Sequence, residues 1–243
     1  MAQPVRLRAV VSEVIDHAAD LRSLVLTPER PPPRFRGGQF LHLAVDRYDP
    51  ASHWPESRIF SIASSPDDRQ RLRITVSAVG QLTRRMMQLR VGDEVWLKLP
   101  YGDFFVEASP AAPAVLVAGG TGVTPFAALL SPTVAPTGPT WLLYGARTRE
   151  LLIYAPAARA AAARFSDLRC SFFVETGAPG DDAQAGRLSV PDALVAAREL
   201  GKPDAAVFYL SGPPAMLAHF QRGLVAAGVA SERVRIDAWG DLP

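Results

Sequence analysis

The sequence is poor in residues that bind metals. It has a single cysteine, Cys170, and four histidines among 243 residues. One cysteine excludes an internal disulfide, a cysteine-ligated iron–sulfur cluster and a four-cysteine zinc site. The histidines lie far apart, without the spacing of a ligand pair. We therefore expect no metal site, and we interpret Cys170, within the strand-like RCSFFV, as a small buried side chain.

Long apolar runs and an excess of one charge are also missing. No apolar run approaches the roughly 18 residues that cross a bilayer, and the first residues lack the pattern of a secretory signal. The 26 basic and 24 acidic residues nearly balance, and the arginines are scattered. This composition predicts a cytoplasmic protein that binds neither membranes nor nucleic acid. The length and the 48% hydrophobic content fit one large domain or two ordinary ones with packed cores.

The first hundred residues read as an antiparallel barrel. Short β-rich runs, several with alternating polar and apolar residues, are separated by turn-forming segments. One helix is predicted among them, at LTRRMMQLR, and DRYDPASHWPE is expected to be a surface loop. The six candidate strands are VRLRAVVSEVIDHA, DLRSLVLTP, GQFLHLAV, RIFSIAS, RLRITVSAV and DEVWLKLP.

The pattern changes after EASPAAP to short apolar strands that alternate with helices. Such strands are buried on both faces, which predicts a parallel α/β sheet. We place the boundary near Ser109, giving a barrel domain of residues 1–108 and an α/β domain of residues 109–243. The five candidate strands are AVLVA, TWLLY, RCSFFV, AVFYL and VRIDA; the helices are TPFAALL, APAARAAAARF, PDALVAAREL and PPAMLAHFQRGLVAAG.

Two glycine-bearing loops follow strands of the predicted parallel sheet. GGTGVTP follows the first strand and SGPPAM the fourth. If the strand order is 3-2-1-4-5, these strands are neighbours and their loops share the ligand crevice at the carboxyl ends. The first loop then offers backbone N–H groups to a pyrophosphate, with Pro125 in the first turn of the following helix. A P-loop is excluded because no Gly-Lys-Ser/Thr follows; a tight structural turn is the local alternative.

Two segments of the barrel half suit an anionic cofactor. In RIFS, strand alternation places Arg58 and Phe60 on one face, where a guanidinium and a ring could hold a phosphate beside a flat ring system. GQLT opens the predicted helix with a glycine and Thr83, which forms a second candidate anion site. Ordinary strand sequence and an ordinary capped helix are the alternatives.

These motifs occur together, in order, in one group of proteins. The whole chain resembles the ferredoxin–NADP reductase superfamily, in a form without an iron–sulfur domain. RIFS resembles its Arg-x-Tyr-Ser flavin motif, GQLT its Gly-x-x-Ser/Thr pyrophosphate loop, and GGTGVTP its nicotinamide-nucleotide loop. PYGDF, YGAR and SGPPAM match further segments in register over roughly two hundred residues.

The resemblance implies a six-stranded antiparallel Greek-key barrel that binds FAD, followed by a five-stranded parallel-sheet domain that binds NADPH or NADH, with the flavin ring between them. The expected flavin-binding residues are Arg58, Phe60, Ser61, Gly80, Leu82 and Thr83. The expected residues for the pyridine nucleotide are Gly120, Thr121, Gly122, Arg147, Gly212 and Pro213.

The resemblance also suggests catalytic residues. Ser61 is expected near the flavin N5 and Ser211 near the nicotinamide. Asp237 is expected as a polar partner of the reacting nicotinamide, and Trp239 as a lid over the flavin. Arg147 closes YGAR, where relatives that use NADPH often place an arginine on the 2′-phosphate, with Arg149 and Tyr154 as helpers; this favours NADPH over NADH. Phe60 and Ser211 differ from the family, which has tyrosine and cysteine there.

The leading hypothesis is therefore an FAD-dependent NAD(P)H oxidoreductase. It passes electrons to a separate acceptor, such as a ferredoxin, a flavodoxin or an oxygenase component, because the chain has no cluster of its own. One alternative is a reductase of free flavin or ferric iron. Another is a module that senses nucleotides without turnover, which Phe60 and Ser211 motivate.

Overall fold

A computed structural model of the chain describes residues 3–237. The chain divides into two compact units, residues 1–105 and 106–243. Each unit is built on one six-stranded sheet.

The first unit is a nearly closed antiparallel barrel, as the sequence predicts. Its strands run in the spatial order β4-β3-β6-β1-β2-β5. The backbone N–H of Ala63, just after β4, donates to the carbonyl of Arg73 in β5 at 2.8 Å and so links the two edges. The elements are β1 (Val5–Ala18), β2 (Leu21–Pro28), β3 (Phe40–Ala44), β4 (Arg58–Ser61), β5 (Leu72–Ser77), α1 (Gln81–Met86) and β6 (Glu94–Tyr101).

Alternation of side chains along the strands forms the barrel core. In β6, Val95, Leu97 and Leu99 are fully buried while Lys98 between them is half-buried. The short helix α1 adds Leu82 and Met86 to the same core. The helix is therefore fixed by burial of its apolar side chains rather than by its own length, which is too short for independent stability.

The loop before β4, which the sequence predicts at the surface, carries a buried ring. Tyr48 lies against Trp96 of β6 with ring centroids 6.0 Å apart, and against Trp54 at 5.2 Å. The guanidinium of Arg6 lies over the same ring and donates to its hydroxyl. These contacts fix the loop on the outer face of the barrel.

The second unit is a parallel sheet with the spatial order β10-β9-β8-β7-β11-β12. The five predicted strands are present in the predicted order 3-2-1-4-5. Helices α3 and α4 share a core with β7, β8, β9 and β11. The strands are β7 (Ala114–Gly119), β8 (Thr140–Ala146), β9 (Leu168–Val174), β10 (Gln184–Ala185), β11 (Val207–Ser211) and β12 (Val234–Ile236); the helices are α2 (Ala155–Arg164), α3 (Val190–Glu199) and α4 (Pro214–Ala226).

The prediction of five strands was wrong, because the sheet has a sixth strand, β10, at its edge. Gln184 and Ala185 pair in parallel with Phe173 and Val174. Both residues of β10 are exposed and they follow a polar, glycine-rich segment. A strand held by backbone pairing alone leaves no apolar pattern in the sequence.

The helix after β7 also differs from its prediction. It is a 3₁₀ helix, Gly120–Leu130, and Pro125 lies inside it rather than in its first turn. In an α-helix the N–H of residue 125 would donate to the carbonyl of Thr121, and proline has no N–H. The hydroxyl of Thr124 donates to that carbonyl instead, at 2.9 Å. Two further 3₁₀ turns are Arg149–Leu151 and Ser231–Arg233.

Cys170 lies in β9, where burial raises the pKa of its thiol to about 12. A thiol with so high a pKa is a poor nucleophile near neutral pH. Within residues 3–237 no three His, Cys, Asp or Glu side chains are grouped as metal ligands. No helix in that range combines the length and the apolar character that a membrane span requires.

Two glycines hold the end of β6 against the start of β3. Gly38 has φ +93° and faces the carbonyl of Phe104, where a Cβ would lie 1.9 Å from the oxygen. Gly102 has φ +88°, and a Cβ there would lie 2.7 Å from the ring of Phe40. The side-chain amide of Gln39 donates to the carbonyl of Gly102 at 3.0 Å. The PYGDF segment therefore depends on close backbone packing.

We predict that Gly38→Ala lowers the free energy of unfolding by about 3 kcal/mol, from strain at positive φ and from overlap with Phe104. Gly92→Ala is the matched control, because Gly92 has φ +97° but no atom within 4 Å of a Cβ. The control should lose about 1–2 kcal/mol, the strain alone. Denaturant unfolding measures both, and equal losses would contradict the role of the contact.

Candidate functional site

The two glycine-bearing loops of the second unit meet at the carboxyl ends of β7 and β11. These strands pair directly, with Ala118 opposite Ser211. A Cβ on Gly122 would lie 2.3 Å from the carbonyl oxygen of Ser211, and a Cβ on Gly119 would lie 2.4 Å from Sδ of Met216. Only glycine allows the backbone contact at Gly122, whereas a side chain at Gly119 would require the flexible side chain of Met216 to move.

Gly120 differs from these two glycines because it faces open space. Its φ is +55°, and no atom lies within 4 Å of where a Cβ would be. Thr121 beside it is half-buried, and the 3₁₀ helix begins at this point. Backbone N–H groups at a helix start, next to an open glycine, can hold a phosphate oxygen. The second loop packs against Gly119 of the first loop. A Cβ on Gly119 would lie 3.1 Å from Cδ of Pro213, and a Cβ on Gly212 would lie 3.2 Å from the backbone of Gly119.

A buried pair of polar side chains lies beside these loops. The hydroxyl of Ser211 donates to Oδ2 of Asp237 at 3.0 Å; the two residues are 1% and 6% exposed. The backbone N–H of Asp237 donates to the carbonyl of Leu210 at 2.9 Å, which continues the pairing of β12 with β11. The carboxylate therefore has a fixed position and orientation. Trp239, the predicted lid, lies outside the described residues.

Arg147 lies just after β8 with an exposed side chain. Its carbonyl accepts both the N–H and the hydroxyl of Thr176, at 2.8 and 2.9 Å, which fixes its backbone. Of its two expected helpers, Tyr154 is only 4% exposed, so its ring packs inside the unit and that expectation was wrong. Arg149 is held by Asp182 in a salt bridge of 2.6 Å.

In the barrel, β4 carries three of the predicted site residues, Arg58, Phe60 and Ser61. Arg58 is exposed; its guanidinium pairs with Glu56 at 3.0 Å and donates to the carbonyl of Ser57 at 2.9 Å. Phe60 is half-buried and packs against the barrel core. Ser61 is 5% exposed. The strand thus ends in a buried hydroxyl and begins with an accessible cation.

The GQLT segment forms a rigid start to α1. The hydroxyl of Thr83 accepts the N–H groups of Val79 and Gly80, at 3.0 and 2.9 Å, and donates to the carbonyl of Gly80 at 3.0 Å. Leu82 between them is buried in the core. The hydroxyl of Thr83 is therefore used for capping the helix, and what the segment offers a ligand is its backbone.

The structure adds one cation that the sequence analysis missed. Arg85, at the end of α1, binds both carboxylate oxygens of Asp46, at 3.0 and 2.5 Å. This hydrogen bonding holds the pKa of Asp46 below its usual value. The same hydrogen bonding raises the pKa of Arg85, and the negative charge of Glu56 raises it further. Glu56 thus lies near both Arg58 and Arg85, and the only sequence signal was an arginine in the first helix.

Residues 116–222, which include both loops, match the family model of the oxidoreductase NAD-binding domain. A flavohemoprotein of Xylella fastidiosa (strain Temecula1) is 30% identical over 242 residues, which cover 97% of this chain and 59% of that protein.

A second relative is the ferredoxin reductase component of a 3-ketosteroid-9-alpha-monooxygenase from Mycolicibacterium smegmatis. It is 30% identical over 249 residues, 97% of this chain and 66% of that protein. This chain thus spans less than two thirds of either relative.

Among solved structures, a ferredoxin NADP+ reductase from Neisseria gonorrhoeae with bound FAD and NADP has the same fold. The TM-score is 0.78 at 18% identity, over 98% of this chain and 99% of that one. The barrel, the parallel sheet with its two loops, and the relatives at 30% identity lead to one conclusion. The chain belongs to the ferredoxin–NADP reductase superfamily.

Proposed function

We propose that the chain is an FAD-dependent NAD(P)H oxidoreductase. It moves hydride between NAD(P)H and FAD and passes electrons to a separate acceptor. The observation that carries this proposal is the meeting of two glycine-bearing loops at adjacent strand ends, next to the buried Ser211–Asp237 pair. In open parallel sheets, that position is where ligands bind.

The second unit fits a pyridine nucleotide. Gly120, Thr121 and Gly122 present backbone at the start of a helix, and the space over Gly120 is open to a pyrophosphate. Gly212 and Pro213 form the opposite side, beside Ser211. The proposed position of the nicotinamide is over this second loop.

The first unit fits the pyrophosphate of FAD. The guanidinium of Arg58 is exposed, and its only partners among the described residues are Glu56 and a carbonyl. A phosphate could replace these partners by bidentate, charge-assisted hydrogen bonds. The backbone of Gly80, Leu82 and Thr83 is held rigid by the Thr83 cap. Phe60 and Ser61 are then the proposed contacts of the flavin ring.

Ser211 and Asp237 have separate tasks in the proposed mechanism. Bound FAD supplies the chemistry that joins two-electron transfer from a nicotinamide to one-electron acceptors. Asp237 is proposed to act as a buried carboxylate, which favours the nicotinamide as its positive charge develops. Ser211 holds that carboxylate in place through its hydroxyl. Trp239 is the proposed lid over the flavin.

The acceptor is proposed to be a ferredoxin, a flavodoxin or an oxygenase component. One relative supports this class, because it is named as the ferredoxin reductase component of a monooxygenase. A single cysteine cannot ligate an iron–sulfur cluster within these 243 residues. The next electron carrier therefore lies outside them.

We predict that the protein purifies with bound yellow flavin, and that NADPH or NADH bleaches it rapidly under anaerobic conditions. Titration with each nucleotide, followed by absorbance, tests this directly. Tight nucleotide binding without bleaching would contradict the proposal in favour of a sensing module. Absence of retained flavin, with turnover of added flavin, would indicate a reductase of free flavin.

We predict that Arg58→Gln weakens FAD binding by at least about tenfold, the loss of one charge-assisted hydrogen bond. Fluorescence titration of the apoprotein with FAD measures the change. Arg71→Gln is the matched control, since Arg71 is an exposed barrel arginine paired with Glu13 at the same 3.0 Å. Equal weakening in both variants would argue against a specific phosphate contact.

We predict that Ser211→Ala and Asp237→Asn each slow flavin reduction by about tenfold or more, with little change in nucleotide affinity. The double variant should be little worse than Asp237→Asn, because the serine acts through the carboxylate. Stopped-flow reduction measures the rates. Ser171→Ala is the control, because it removes a hydroxyl of β9 that accepts a hydrogen bond from Trp141 in β8. Additive losses would contradict the coupling.

A further inference from the structure

Arg149, Arg159 and Asp182 form a cluster of charges from three separate segments of the second unit. The carboxylate of Asp182 lies between the two guanidiniums: one oxygen is 2.6 Å from Nη1 of Arg149, and the other pairs with Arg159. Arg149 comes from the 3₁₀ turn after β8, Arg159 from α2, and Asp182 from the loop after β9. All three side chains are partly exposed to solvent.

The loop after β9 is wrapped around the guanidinium of Arg149. This side chain also donates to the carbonyl of Pro179. Gly180 lies so close that a Cβ would be 2.2 Å from Nη1, and its φ is +76°. Hydrogen bonding from Arg149, with the charge of Arg159, holds the pKa of Asp182 below its usual value. Asp182 is therefore ionised at neutral pH.

Arg159 is held on its other side by an aromatic ring. Its guanidinium carbon lies 4.7 Å from the ring centroid of Phe172. Its Nε is buried without a hydrogen-bond partner in the part of the chain described. The donors of Arg159 are therefore not all used by Asp182.

The cluster lies at the ligand-binding edge of the sheet. Gly119 at the end of β7 pairs with Gly145 in β8, and Gly145 pairs with Phe173 in β9. The end of β9 is therefore about 10 Å along this edge from the proposed pyrophosphate loop, two strand spacings away. The adenosine half of a dinucleotide extends over such a distance. Its ribose would reach the segments that follow β8 and β9.

A 2′-phosphate and Asp182 would compete for the same guanidiniums. NADPH differs from NADH only by this phosphate, and arginine is the side chain that best recognises it. Arg149 and Arg159 already share one carboxylate of this chain, that of Asp182, which occupies donors of both guanidiniums. Arg147 forms no ion pair within residues 3–237, so it is the cation left to face the ribose.

We propose that Asp182 is a specificity-determining residue, which withholds Arg149 and Arg159 from a 2′-phosphate and so limits the preference for NADPH over NADH. This inference rests on the proposed function, because it assigns a residue to the nucleotide site of that reaction. It predicts that removing the carboxylate charge frees two guanidiniums to bind the 2′-phosphate of NADPH. NADH has no phosphate there, so its binding should not gain.

The test is anaerobic flavin reduction by the full holoprotein, with kcat/KM measured for both nucleotides. Asp182→Asn should raise the NADPH/NADH ratio of kcat/KM by about tenfold, the effect of one charge-assisted hydrogen bond gained. Arg149→Gln should change the ratio little in the native background. In the Asp182→Asn background it should remove part of the gain, because only Arg159 is then left to bind the 2′-phosphate.

Asp181→Asn is the matched control, because it removes the same charge from the neighbouring exposed residue. An unchanged ratio in Asp182→Asn would overturn the proposal. So would an equal rise in Asp181→Asn, which would indicate a general charge effect. A parallel loss with both nucleotides would assign Asp182 only a role in holding the loop, and would also overturn it.

A binding measurement separates this inference from the proposed function. Calorimetric titration of the full chain with 2′,5′-ADP and with 5′-AMP requires no flavin reduction. Asp182→Asn should bind 2′,5′-ADP about tenfold more tightly and 5′-AMP unchanged. If neither nucleotide reduces the flavin, the proposed function fails while this titration still decides the role of Asp182. Unchanged affinity for 2′,5′-ADP would overturn that role.

Discussion

The proposed nucleotide site depends on the direct pairing of β7 with β11. This pairing places the carbonyl of Ser211 against Gly122 and the thioether of Met216 against Gly119. A side chain at Gly122 would force the two loops apart, and one at Gly119 would displace the side chain of Met216. Close backbone contact thus does two things at once: it orders both loops, and it leaves the open face of Gly120 as the place where a phosphate can approach.

Polar side chains are fixed before any ligand arrives. Ser211 and Asp237 are bonded in a buried environment, where a hydrogen bond to a charge is strong and a misplaced charge is costly. In the barrel, the cap formed by Thr83 fixes the backbone of GQLT in the same way. Because these groups are already ordered in the folded chain, the entropic cost of ordering them is met during folding and does not weaken ligand binding or slow catalysis.

Carboxylates of the chain itself accompany the arginines at both candidate phosphate sites. Glu56 pairs with Arg58 in the first unit, and Asp182 bridges Arg149 and Arg159 in the second. Each carboxylate lowers the electrostatic cost of gathering cations. If these are the proposed phosphate sites, each carboxylate also sets the strength of phosphate binding, because a phosphate then exchanges with the carboxylate rather than meeting an unpaired charge.

The sequence alone determined the two-unit architecture, the order of the five main strands and the motifs of the proposed site, because these depend on local periodicity and on glycine or proline at defined points. It missed β10, which pairs only through its backbone. It also placed Pro125 wrongly, in the first turn of a helix. Inside the 3₁₀ helix, the hydrogen bond from the Thr124 hydroxyl to the carbonyl of Thr121 replaces the backbone bond that proline cannot donate. Tertiary structure alone decided that Tyr154 is buried and that Arg85 meets Asp46. It also decided that Asp182 bridges two arginines, since ion pairs between distant segments have no periodicity in the sequence.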